Sequence, residues 1–203
     1  GKMKKQMRLP VTFALAAFAT PALAAETSYE QIKAPSPENW LSVHRTYDAQ
    51  RFSPLTQINK ANVKSLQVAW TYESGDHFTG SEMQSNPIVV DGVLYATTPT
   101  MKVIAVNAST GKEIWRFDPS GGSTARARFR HRGVTVHADR VFVTYRNFLF
   151  ALDKTTGAML ASIDLGVGQN NTPMTFMHAG KQYVVLSVGS TDHPAELLAL
   201  ALP

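Results

Sequence analysis

Ala105-Val106-Asn107-Ala108-Ser109-Thr110-Gly111-Lys112-Glu113-Ile114-Trp115 reads as a strand, a tight turn and a second strand. A second copy follows as Ala151-Leu152-Asp153-Lys154-Thr155-Thr156-Gly157-Ala158-Met159-Leu160-Ala161, and a third survives only as its strand, Leu197-Leu198-Ala199-Leu200. The step from Ala105 to Ala151 is 46 residues and from Ala151 to Ala199 is 48. A repeat of that length is the mark of β-propeller blades, which are not independent domains and bury their faces on one another. The chemistry of the motif fits that reading. A small Ala leaves room for a ring, Thr-Gly turns the chain tightly, and Trp offers a broad apolar face with one N–H that needs an acceptor when buried.

Other positions keep the same period. Trp70 precedes Trp115 by 45 residues, and Ala161 lies 46 further on, where a third Trp would fall. From Gln67 onward, short runs rich in Val, Ile, Leu, Tyr and Phe alternate with Gly, Asn, Asp and Pro turns. They predict strands at 67–73, 86–90, 93–98, 102–106, 112–118, 133–137, 140–145, 148–152, 158–164, 173–178, 182–188 and 196–202. Asp91-Gly92 and Ala179-Gly180-Lys181 are hairpin signals, with Ala138-Asp139 a weaker one. The fold class is therefore all-β, about three four-stranded antiparallel propeller blades near 66–118, 119–165 and 166–203. Residues 25–65 read as an extended, loop-rich segment. Lys33-Ala34-Pro35-Ser36-Pro37 is its linker, Trp40 to Tyr47 a short helix or turn, and Lys60 to Leu66 one helical turn.

Residues 1–24 have the layout of a secretory signal peptide. Lys4, Lys5 and Arg8 precede an apolar run from Val11 to Ala19, and Ala22-Leu23-Ala24 is a small-x-small cleavage site. An uncleaved amphipathic anchor is the rival reading, disfavoured by the lack of a polar face. The formal charge of +5 comes from 20 Lys and Arg against 15 Asp and Glu. Removing Lys2, Lys4, Lys5 and Arg8 with the signal leaves 16 against 15, so no nucleic-acid partner is expected. Cysteine is absent, so stability must come from core and ladders rather than disulfides. Export without a lipid-anchoring Cys points to the periplasm.

Longer strings carry a family likeness. Arg51-Phe52-Ser53-Pro54-Leu55-Thr56-Gln57-Ile58-Asn59, Val68-Ala69-Trp70-Thr71-Tyr72 and Asn86-Pro87-Ile88-Val89-Val90-Asp91-Gly92-Val93-Leu94-Tyr95 resemble the start of quinoprotein dehydrogenases, in particular the glucose, quinate and polyol group. Thr172-Pro173-Met174-Thr175-Phe176 and Leu198-Ala199-Leu200-Ala201-Leu202-Pro203 resemble that group's C-terminus. The likeness implies an eight-bladed propeller holding pyrroloquinoline quinone (PQQ), usually with Ca²⁺. It implies oxidation of a sugar or alcohol and electron transfer to a quinone or cytochrome.

Carried over residue by residue, Glu82 matches a family glutamate near the PQQ carboxylates, and Arg132 matches the arginine beside the quinone. A guanidinium suits that place because its planar fork of donors keeps its charge. The plainer readings are a solvated acid for Glu82 and, for Arg126, Arg128, Arg130 and Arg132, one exposed basic face. His131 stands where relatives have a vicinal disulfide or a covering His, and is a third cofactor-binding candidate. No Asp/Glu cluster offers the six to eight oxygens that Ca²⁺ requires, so no metal ligand is assigned.

The same likeness implies an internally shortened chain whose middle blades, and with them the catalytic aspartate, are missing. Three blades are too few for a closed ring, for which four to eight are typical. An open array with apolar flanks is expected, prone to self-association or to pairing with a complementary propeller fragment. Two other functions stay open: a non-catalytic propeller scaffold like that of the outer-membrane assembly machinery, and sugar binding without redox chemistry.

Overall fold

A computed structural model describes residues 26–123, 131–168, 173–190 and 193–202. The segment read as a signal peptide, and Arg126, Arg128 and Arg130 of the proposed basic face, lie outside the described residues.

Among the described residues, eleven strands form three antiparallel sheets in simple sequential order. The first blade holds β1 (Ile88–Val90), β2 (Val93–Thr97), β3 (Val103–Asn107) and β4 (Glu113–Phe117). The second holds β5 (Thr135–His137), β6 (Arg140–Tyr145), β7 (Phe148–Asp153) and β8 (Met159–Asp164). Among the described residues, the third has three strands where four were expected: β9 (Met174–His178), β10 (Lys181–Ser190) and β11 (His193–Ala201). Ala105, Ala151 and Ala199 all fall on the third strand of their own sheet, so the repeat spacing carried through to the structure.

Period-two alternation builds the stack. On β3, Val103 and Ala105 face the second blade while Ile104 and Val106 face the opposite way. On the second blade, Val141, Val143, Phe150 and Leu152 meet the first, whereas Phe142 and Leu149 meet Leu186 and Val188 of the third. Both faces of β6 and β7 are thus packed, and these two strands are mostly apolar, whereas β8 is exposed.

The Trp motif is the joint between blades. Trp115 donates from Nε1 to the Lys154 carbonyl at 3.1 Å, and its ring lies so close to Gly157 that an added Cβ would sit 2.5 Å away. Trp70 repeats the arrangement one blade earlier, donating to the Ala108 carbonyl at 3.2 Å over Gly111, where a Cβ would fall 2.6 Å from the ring. Each glycine is fixed by the ring above it. Asn107 and Asp153 close the matching turns, each Oδ1 accepting the N–H and Oγ1–H of the turn threonine, Thr110 or Thr156. The repeat thus encodes both the turn and the surface on which the previous blade lands.

Residues 67–73 correct the sequence reading. They alternate like a strand, yet form none, and Val68 is 82% exposed. The segment is held through side chains instead: Trp70 at Gly111, and Tyr72 and the Ser74 carbonyl at the Arg116 guanidinium. Closure of this segment onto the last blade is not observed; β11 pairs with β10 among the described residues. The N-terminal region also holds a short helix, α1 (Tyr29–Lys33), inside the stretch read as loop. Ser28 and Gln31 form a capping box at its start. Beyond it, Thr27 bridges to Ala138 and Trp40 to Val89, so this segment straps the first two blades together.

Candidate functional site

The first strands of the blades, β1, β5 and β9, converge on a cavity of about 440 Å³. Ile88, Val134, Val136, Pro173 and Met174 give it apolar walls, with Ile32, Leu41 and Val43 of the N-terminal strap on one side. Its polar groups are Arg132, Asn86, Thr135, Thr175, Ser42 and Tyr47. One cation among amide and hydroxyl groups on an apolar wall is a donor set for a flat anionic or carbonyl-bearing molecule.

Two loops bring Arg132 to this cavity. The Asn86 N–H donates to the Arg132 carbonyl at 2.8 Å, joining the entry to β1 with the entry to β5. Gly133 takes φ +121°, and a Cβ there would lie 2.7 Å from the Asn86 carbonyl oxygen. The two main chains can approach this closely only because that position has no side chain. The Ser85 Oγ accepts the Thr97 N–H at 2.9 Å, tying the first loop to β2. Glu82 stands three residues upstream of Ser85 on that loop. It is exposed, and its carboxylate accepts from Gln84 Nε2 at 2.6 Å. The loops that carry Glu82 and Arg132 are therefore joined, although Glu82 is not among the residues that line the cavity.

His131 has a different placement from the other two candidates. It is 5% exposed, with Nδ1 accepting the Gly133 N–H at 3.2 Å and Nε2 at 3.3 Å from Thr144 Oγ1. A backbone N–H can only donate, so Nδ1 is unprotonated and Nε2 carries the hydrogen toward Thr144. Burial pulls its pKa down from 6.5 to about 4, against an opposing hydrogen bond with Thr144, so the ring is neutral at ordinary pH. Both nitrogens are occupied within the protein, which leaves neither for a direct cofactor contact.

The most heavily bonded carboxylate belongs to Asp76, a position without an assigned role in the sequence reading. Burial raises its pKa, but bonds from Thr98, Thr100 and Lys102 outweigh this and hold it at about 2. Lys102 Nζ lies 3.0 Å from Oδ1, Thr100 donates from both N and Oγ1, and Thr98 Oγ1 also donates. These partners saturate the group, so it pins the chain before Glu82 to the β2–β3 turn. No group of three or more His, Asp or Glu that could hold a metal occurs among the described residues.

Asn86, Thr135 and Thr175 were missed as cavity residues. The available signal was their place at or just before the first strand of each blade, β1, β5 and β9.

Comparison with known proteins agrees with this architecture. Residues 40–143 and 139–184 match the family described as "PQQ: Glucose/ethanol/alcohol dehydrogenase, beta-propeller domain". The chain is 48% identical over 171 residues to the dehydrogenase subunit of the alcohol dehydrogenase (quinone) of Acetobacter aceti, covering 78% of this chain and 23% of that one. It is 39% identical over 170 residues to the quinohemoprotein alcohol dehydrogenase ADH IIB of Pseudomonas putida, covering 79% and 24% respectively. Among solved structures, the quinohemoprotein alcohol dehydrogenase ADHIIG of Pseudomonas putida HK5 superposes with a TM-score of 0.71 at 33% identity, covering 88% of this chain and 27% of that one. The chain spans about a quarter of the length of these relatives.

Proposed function

Because this chain belongs to the PQQ-dependent glucose/ethanol/alcohol dehydrogenase β-propeller family, we propose that it supplies part of a PQQ site for oxidation of a small alcohol, with a sugar as the second substrate class. The relatives described above are named as alcohol dehydrogenases, which favours the alcohol. A quinone or a cytochrome is the proposed electron acceptor, and the periplasm the proposed compartment, on the strength of the basic, apolar and Ala-x-Ala pattern of residues 1–24.

The observation that carries this reading is Arg132 at the cavity where the three inner strands meet. PQQ, when bound, supplies a quinone that accepts two electrons. The chain's own residues would hold and orient it: Arg132 would pair with its carboxylate or quinone oxygens, while Asn86, Thr135 and Thr175 would offer amide and hydroxyl groups. Glu82 stands on the joined loop outside the cavity lining, and because its carboxylate can only accept, it would meet a donor group of the cofactor rather than a carboxylate. The carboxylates of the described residues do not assemble a calcium site, so no step is assigned to a metal.

The test is reconstitution of the full chain with PQQ and Ca²⁺, followed by dye reduction with ethanol, 1-butanol and glucose. A PQQ spectral shift with alcohol-dependent dye reduction is the expected result. A spectral shift without turnover would reduce the role to cofactor binding. No shift at all would overturn the reading.

One observation favours a second reading, a scaffold that recruits a partner propeller fragment or a second copy. The outer face of the third blade is open, with Leu197 79% exposed and Phe176 stacked on Tyr183 at 5.2 Å without a covering layer among the described residues. Size measurement by light scattering separates the two, since a partner-free monomer carries no such assembly.

A further inference from the structure

We propose that His131 is the positioning residue of the Arg132 site: it acts through the backbone of the 131–133 turn, fixing the direction in which the Arg132 side chain meets the cavity between β1, β5 and β9. The inference rests on the reading of Arg132 as a PQQ contact.

Three constraints meet at this turn. His131 Nδ1 accepts the Gly133 N–H at 3.2 Å, so the imidazole spans the two peptide bonds that flank Arg132. On its far side Nε2 is anchored to Thr144 Oγ1 at 3.3 Å, and Thr144, on β6, is fully buried. From the opposite direction the Arg132 carbonyl accepts the Asn86 N–H at 2.8 Å, and Gly133 presses against the Asn86 carbonyl. Arg132 itself is exposed and lines the cavity. Its backbone is thus fixed on both sides while its side chain is free to meet a ligand. Such preorganisation matters for a long, rotamer-rich side chain, because ordering it at the moment of binding weakens affinity. Neutrality of the ring serves the same end, since an imidazolium would have no lone pair for the Gly133 N–H.

The test is a double-mutant cycle on PQQ affinity, read by absorbance and tryptophan-fluorescence titration of the full chain. His131→Leu removes both bonds, His131→Asn keeps an acceptor for Gly133, and Thr144→Val removes the Oγ1 part of the outer anchor at nearly constant shape. The expected result is a loss of affinity on the order of tenfold for His131→Leu, largely rescued in His131→Asn, with about threefold for Thr144→Val. In an Arg132→Ala background Thr144→Val should have no further effect, because the coupling runs through Arg132. Should His131→Leu fail to fold, the Thr144→Val arm of the cycle gives the same answer. If Arg132→Ala weakens PQQ binding but His131→Leu and Thr144→Val do not, the positioning role is overturned and the Arg132 reading stands. If Arg132→Ala leaves PQQ affinity unchanged, both fall.

Discussion

β3 and β11 hold the same place in the repeat, the third strand of their sheets, yet their surroundings are opposite. Val103, Ile104, Ala105 and Val106 of β3 are each no more than 1% exposed, while Leu197 of β11 is 79% exposed. Both strands carry an apolar run, Val103 to Val106 in β3 and Leu197 to Ala201 in β11. The difference lies in what stacks on each face: β3 lies between the second blade and the Trp70–Tyr72 segment, whereas β11 is packed on one side alone. A propeller strand therefore acquires its core from its neighbours, and the apolar sequence is only the permission for it.

The joints differ in the same way. Trp115 on β4 locks the first blade onto the second, whereas Ala161, its counterpart on β8, makes no such contact and β8 is exposed along its whole length. The largest effect should accordingly come from Trp115→Ala. Loss of a 7% exposed ring and its bond to Lys154 should cost about 3–5 kcal/mol, measured by urea unfolding. A loss below about 1 kcal/mol would break the contrast between the two joints.

A smaller effect is expected from acid. His131 has a folded pKa of about 4 against 6.5 unfolded, so the unfolded chain binds the proton first. Its contribution is complete above about pH 6.5 and is lost as pH falls toward 4, on the order of 3 kcal/mol in all. Asp76, at about 2 against 3.8, loses its contribution only below that window. Unfolding titrations from pH 7 to 2 should thus show a first decline that His131→Asn abolishes and a second, below about pH 4, that Asp76→Asn abolishes. The smallest effect belongs to β11, where Leu197→Ser should change stability by less than about 0.5 kcal/mol. A larger loss would mean that the outer face of the third blade is covered in solution.

Much of this fold was legible because the repeat is local. Ala105, Thr110-Gly111 and Trp115 lie within eleven residues, and their turn and strand chemistry depends on that stretch alone. What escaped was set by distant partners. Residues 67–73 alternate like a strand, but whether they join a ladder depends on an edge elsewhere in the molecule. The Ser28-x-x-Gln31 capping box was readable and overlooked beside the prolines that follow it. Arg132 was singled out through family strings and lines the cavity, but the enclosure of His131 depends on Thr144, thirteen residues away on β6. Asp76 likewise gains its meaning from Thr98, Thr100 and Lys102 across a hairpin.

The most direct measurement of the central claim is the equilibrium affinity of the full chain for PQQ, compared between the natural sequence and Arg132→Ala under identical salt. A PQQ site at the cavity lined by Arg132 predicts saturable binding that Arg132→Ala weakens at least tenfold, as expected for loss of a charge-assisted pair. Binding that is absent in the natural sequence, or equal in the two proteins, would contradict it.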